Sequence, residues 1–178
     1  MSENRKSSSQ SVKRLSVYGL LIALAFVLSY VETLIPMAAL GIVIPGIKIG
    51  LANVVVMVAL YTMGARDALV LSLIRILLVG FTFGNTVSMI YSLGGGLLSY
   101  LVMVLLKKAK VFQMITVSIA GGIFHNVGQI LMAMLVLENA GVAAYLPVLF
   151  LSGTVTGLLI GLLGGEVAKR IRRAIAGA

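Results

Sequence analysis

Six apolar stretches run along the chain at residues 15–35, 47–63, 68–83, 86–106, 111–137 and 146–167, separated by short polar or glycine- and proline-containing breaks. Each is long enough, as a helix, to serve a hydrocarbon core about 30 Å thick. The pattern predicts an all-α integral membrane protein, a bundle of six transmembrane helices spanning residues 15–168. Residues 1–14 read as a disordered polar and basic tail, and residues 169–178 as a second basic tail. Arg5, Lys6, Lys13 and Arg14 ahead of an apolar run resemble the start of a signal peptide. No small-residue cleavage site follows and five further spans do, so the first helix is expected to stay in place. Pro36, Gly41, Pro45 and Gly46 break residues 36–46 too often for a regular spanning helix, leaving a loop or a re-entrant turn as alternatives.

Composition fixes the solvent. The 178 residues are 60% hydrophobic and 11% charged, and the mean hydropathy is +1.13. Soluble domains carry about 25% charged residues, so this chain has too few to solvate an aqueous surface. The net charge of +9 would suggest nucleic acid in a soluble protein; here most cations flank the apolar stretches, and the expected surroundings are a lipid bilayer. Arg5, Lys6, Lys13, Arg14, Arg66, Lys107, Lys108, Lys110, Lys169, Arg170, Arg172 and Arg173 all fall on one side of a six-span arrangement, and Lys48 alone on the other. That asymmetry places both termini in the cytoplasm of a multi-pass cell-membrane protein.

Against this background Arg75 is the most informative residue. It lies about 11 Å along the third span by helical rise, where an unpaired cation costs about 2.5–3.5 kcal/mol on insertion scales. Glu32, Lys48, Asn53, Asn85, His125, Asn126 and Gln129 fall in the outer half of their spans or at its edge. Helical spacing puts Ala68, Ser72, Arg75, Val79 and Thr82 on one face of the third span, and Ala25, Ser29 and Glu32 on one face of the first. His125 and Gln129 share a face of the fifth. The candidate substrate site is therefore Glu32, Lys48, Asn53, Arg75, Asn85, His125, Asn126 and Gln129. Other readings stand beside it. Arg75 could snorkel toward the interface, Glu32 and Lys48 could pair across the outer loop, and His125 could be a hydrogen-bonded packing residue.

Glycine forms a second pattern. Gly153, Gly157, Gly161 and Gly165 recur every fourth residue on the sixth span, and Gly19 and Ala23 form a shorter pair on the first. Such faces let helix backbones approach closely in lipid. Packing within the bundle and a surface for a separate membrane subunit are both open for the sixth span. Gly94, Gly95, Gly96, Gly121 and Gly122 mark either close packing or local unwinding.

Several chemistries are excluded by sequence. There is no cysteine, no Gly-rich phosphate loop for ATP, no HExxH and no serine-hydrolase motif. The acidic residues are Glu3, Glu32, Asp67, Glu138 and Glu166, and no two are close in sequence. Magnesium-dependent diphosphate chemistry needs clustered carboxylates. No metal, cofactor or catalytic residue is expected, and an enzyme is disfavoured.

GIKIGLANVVVMVAL at residues 46–60, FGNTVSMIYSLGGGLLSYLVM at 83–103 and SIAGGIFHNVGQI at 118–130 resemble the membrane family called heptaprenyl diphosphate synthase component I. That family is grouped with the Gx transporters and is related to the substrate-binding S-components of energy-coupling-factor importers. The resemblance implies a six-helix, S-component-like bundle with an outward pocket for a small-molecule substrate. It implies docking of a transmembrane coupling subunit and ATPases through a small-residue pair on the first helix, here Gly19 and Ala23. The family's label instead implies a soluble prenyl diphosphate synthase subunit as partner, although no aspartate-rich motif of such synthases is present. An S-component-like importer subunit for an anionic molecule is the leading expectation, since Lys48, Arg75 and His125 outnumber the nearby acids. A membrane component of a polyprenyl diphosphate synthase is the alternative, and an ion-coupled carrier ranks below both.

Overall fold

A computed structural model of the chain describes residues 2–36 and 47–176. Among them are six α-helices: α1 (Ser2–Thr33), α2 (Asn53–Thr62), α3 (Ala65–Phe83), α4 (Thr86–Ala109), α5 (Met114–Leu137) and α6 (Leu146–Ala176), with a 3-10 turn at Ala140–Tyr145 before the last. No strand occurs among the described residues. The all-α expectation holds, and the helix starts and stops follow the sequence punctuation. Asn85 caps α4 by accepting from the Ser88 amide, while the Ser88 hydroxyl accepts from the Asn85 amide. Lys110 and Glu138 end α4 and α5 in the left-handed region.

Among the described residues, four helical stretches are long and apolar enough to cross a membrane: Val12–Thr33, Thr86–Ala109, Met114–Leu137 and Ala140–Arg173. Their outer faces are lined with large apolar side chains left exposed by the bundle. Leu105, Leu135 and Leu163 are 65, 70 and 64% exposed. Apolar surface on that scale needs lipid rather than water, and the chain is a membrane protein.

The second span departs from expectation. The helix occupies only Asn53–Thr62, while residues 47–50 ahead of it are non-helical. Ten residues rise about 15 Å, half the hydrocarbon core. Ala52 through Leu60 are all buried, which explains the feature: a helix apolar on every side belongs in the interior. α2 is the central stave, packed against α1, α3, α4 and α6. The tails differ too. Residues 2–14 of the tail expected to be disordered at 1–14 continue α1, and α6 runs on through Lys169 and Arg173 to Ala176. Their Ser, Lys, Arg and Glu residues tolerate helix well enough to extend an existing one. The alternatives for the 36–46 connection concern residues 37–46, outside the described residues.

α5 packs most extensively on α4 and α6, and glycine sets the distance. A Cβ on Gly122 would lie 2.3 Å from the Gly153 carbonyl oxygen, and one on Gly157 2.6 Å from the Ile119 Cα. On the other side, a Cβ on Gly128 would lie 2.6 Å from the Gly94 carbonyl oxygen. α4 and α5 are continuous through their glycines, so those residues serve close packing and not unwinding. Gly153, Gly157 and Gly161 likewise face α5 within the chain. Gly19 is different: a methyl group there would meet nothing within 4 Å.

At the basic end, Arg14 pairs with Asp67 at 2.6 Å, and the Tyr18 hydroxyl donates to the same carboxylate. Lys107 and Arg172 donate to the Leu60 and Tyr61 carbonyls, satisfying the C-terminus of α2 with two cations.

Gly122→Ala should lower stability in detergent by about 1–3 kcal/mol, because backbone lies on the other side of the contact and cannot move aside cheaply. Gly19→Ala should leave the unfolding temperature unchanged. Equal thermal melts for both variants would mean that the α5–α6 contact is not tight.

Candidate functional site

The chain approaching α2 turns inward at Gly50, whose φ of +91° favours glycine. A Cβ there would also press to 2.9 Å from the His125 ring. Two helix faces then grip this segment. The Glu32 carboxylate, from α1, accepts from the amides of Gly50 and Leu51 at 2.5 Å each. The Gln129 side-chain amide, from α5, accepts from the Lys48 N–H and donates to the Lys48 carbonyl, both at 2.9 Å. Gln129 thus pairs with Lys48 as a neighbouring strand would. A non-helical backbone inside a membrane bundle requires such partners, because lipid offers none.

Arg75 stands beside this point. Ten residues into α3, its depth of about 15 Å by helical rise matches that of Asn53, one 10-residue helix above the same end of the bundle. Its Nη2 donates to Asn53 Oδ1 at 3.2 Å, and the residue is 7% exposed. The snorkelling alternative is therefore not adopted. Among the described residues no ion pair joins Arg75, Glu32 or Lys48, and the Nε of Arg75 has no hydrogen-bond partner. Ser29, Lys48, Arg75, Ser88 and Ser92 supply the polar wall of an adjoining cavity of about 10 Å³, room for about one water molecule. His125 is buried between Gly50 and Gly95, and its Nδ1 also lacks a partner among the described residues.

Six of the eight sequence-nominated residues therefore gather in one place: Glu32, Lys48, Asn53, Arg75, His125 and Gln129. Two do not. Asn85 is exposed and its side chain caps α4; an Asn directly ahead of a helix is spent on orphan amides. Asn126, one residue from His125, points around α5 toward α6, where its Nδ2 donates to the Leu149 carbonyl at 2.6 Å and meets the Ser152 hydroxyl at 3.2 Å. Adjacent helical residues do not face the same way. Glu32 joins the cluster as a clamp on backbone amides and not as the partner of Lys48. The expected stripes hold: Ala25, Ser29 and Glu32 are buried on α1, and Ala68, Ser72, Arg75 and Val79 on α3, while Thr82 turns outward. Sequence reasoning passed over Ser88 and Ser92, whose i, i+4 spacing in α4 was the available signal.

Gln129→Leu should strip both partners from the Lys48 backbone. We expect faster amide exchange across residues 47–51 and a loss of about 1–3 kcal/mol, the penalty for buried polar groups left unmade. Unchanged exchange would show that the pairing does not hold the segment.

The sequence pattern of the heptaprenyl diphosphate synthase component I family matches residues 21–167, and the chain belongs to that family. No curated protein and no solved structure matches it.

Proposed function

We propose that this member of the heptaprenyl diphosphate synthase component I family captures a small molecule bearing an anionic group within the membrane and passes it to separate energising subunits. The observation that carries the reading is Arg75: a buried guanidinium with one neutral partner, a free Nε and no carboxylate in ion-pair range among the described residues. A cation in that position is retained against a cost of several kcal/mol, and an anionic substrate removes the deficit. Asn53 orients the guanidinium, Lys48 adds positive charge at the cavity wall, and His125 offers a second unpartnered nitrogen. The cavity holds about one water molecule, so binding requires the segment held by Glu32 and Gln129 to move. Glu32 and Gln129 are in this reading the latch, and Arg75 the receptor.

The finer topology belongs to the same proposal. All six helices cross or enter the bilayer, with the basic end and both termini cytoplasmic, a reading the Lys/Arg asymmetry supports. The sequence has no ATP-binding loop, so a transmembrane coupling subunit and ATPases supply the energy. The exposed Gly19 and Ala23 face of α1 suits the coupling subunit, since small residues allow close helix approach. The family's description favours a second reading, a non-catalytic membrane component of a polyprenyl diphosphate synthase. Affinity purification of the full chain separates the two: coupling subunits and ATPases support import, and a soluble aspartate-rich synthase alone supports the second.

Arg75→Met tests the site by its ligand response. Each protein is read against its own melt without ligand, because removing the guanidinium also leaves the Asn53 carbonyl oxygen without its donor. In a thermal-shift panel of small carboxylates, phosphates and diphosphates, the parent should gain about 2.7 kcal/mol at a hundredfold excess over Kd, and the variant nothing. A variant that retains the ligand response would remove Arg75 from the site.

A further inference from the structure

A second cavity, of about 500 Å³, opens at the opposite, basic end of the bundle, where α2 finishes, α5 begins and α6 passes both. Its existence follows from the glycine row of α6. Methyl groups on Gly153, Gly157 and Gly161 would collide at 2.6–2.9 Å with α5 or its neighbours, so close packing explains those three. A methyl on Gly165 would meet only the Met114 sulfur, at 4.0 Å. Here α5 runs out, and the missing side chain opens a groove instead of a contact.

The groove has two chemically distinct parts. Its floor is apolar, made by Met114, Ile115 and Leu162. Its rim carries Lys169 and Arg172, and the latter is fixed by donating to the Tyr61 carbonyl at 2.6 Å, which leaves further guanidinium donors free. Glu166 also lies on the rim, but Arg170 meets its carboxylate at 3.2 Å. The start of α5 adds to the positive character: Gln113 makes no side-chain cap and the first turn holds no acid.

Depth identifies the occupant. Residues 146–165 of α6 contain no charged side chain, and twenty helical residues rise about 30 Å, the thickness of the hydrocarbon core. The charged sequence from Glu166 onward therefore lies at the level of the lipid headgroups. A floor in hydrocarbon and a cationic rim at headgroup depth match one amphiphile. The geometry points to a binding site for an anionic phospholipid, its phosphate-bearing headgroup held by Lys169 and Arg172 and one acyl chain lying along Ile115 and Leu162. The site is independent of Arg75 and of the direction in which the chain crosses the membrane.

The test is native mass spectrometry of the full chain in detergent. Phosphatidylglycerol and phosphatidylcholine with identical acyl chains are titrated separately, with inorganic phosphate as a soluble control. Phosphatidylglycerol should be retained preferentially. Joint Lys169→Gln and Arg172→Gln substitution should weaken it roughly tenfold to thirtyfold, from the usual contribution of two interfacial cations. Lys108→Gln with Lys110→Gln removes the same charge elsewhere at this end and should change retention little. Gly165→Leu should obstruct the groove between Met114 and the cationic rim and abolish preferential retention while leaving the unfolding temperature intact, since no backbone opposes it. Undiminished phosphatidylglycerol retention in Gly165→Leu overturns the proposal. So does an equal loss in the Lys108 and Lys110 variant, or a response to inorganic phosphate without one to the lipid.

Discussion

A backbone that leaves helical geometry inside an apolar bundle must find hydrogen-bond partners there, because the surrounding lipid has none to give. This constraint falls on residues 47–51, where the chain reaches α2. Without Glu32 the amides of Gly50 and Leu51, just ahead of α2, would stand open, and without Gln129 so would both polar groups of Lys48. Helix α1 must therefore place its Ala25, Ser29 and Glu32 face inward, and α5 must present Gln129 on the same side as His125. Gly50 completes the requirement by turning the chain where a side chain would strike the imidazole ring. The central position of α2, and the depth at which Arg75 meets Asn53, are consequences of this one anchored segment.

The two sides of the bundle meet this demand by different means. α4, α5 and α6 are drawn together by glycine contacts at backbone distance, an arrangement with little room for adjustment. α1 and α3 are tied to each other and to the α2 region by side chains: Glu32 at the start of α2, Arg75 with Asn53, and Arg14 and Tyr18 with Asp67. The polar cluster lies where the tightly packed wall faces this looser side. Ser88 and Ser92 of α4 are the wall's contribution to the small cavity, and Ser29, Lys48 and Arg75 come from the other. A site in such a place can open by changing a few side-chain hydrogen bonds while the glycine-packed helices stay as they are.

Much of this was legible from residue order. Long apolar runs gave five of the helices, α3, α4 and α5 near their observed limits and α1 and α6 shorter than observed, and i, i+3/i+4 spacing gave the inward stripes of α1 and α3, because helical periodicity is a local property. What escaped was non-local. A 17-residue apolar run at 47–63 reads as a span, and only the structure shows a short helix buried from Ala52 through Leu60 with a non-helical approach. Gln129 was nominated for a ligand from its depth and the face it shares with His125; that its partner is the Lys48 backbone, 81 residues away, depends on packing alone. Asn85 and Asn126 lie apart from the cluster for a local reason that sequence could have supplied. One immediately precedes a helix, and the other sits about 100° around the helix from His125.

The arrangement leaves one carboxylate facing two demands. Glu32 serves the amides of Gly50 and Leu51, and Arg75, nearby and positive, has only the neutral Asn53. Both amides bond the same oxygen, Oε1, and the carboxylate stays outside ion-pair distance of Arg75. The resting bundle therefore leaves the guanidinium with one neutral partner and a free Nε among the described residues. An anion arriving from outside changes the count. Placed on Arg75, it would supply the missing charge while Glu32 keeps the amides of Gly50 and Leu51. The gain would come from a group the protein does not itself contain, which is the physical basis for reading an under-compensated arginine in a membrane bundle as half of a binding site.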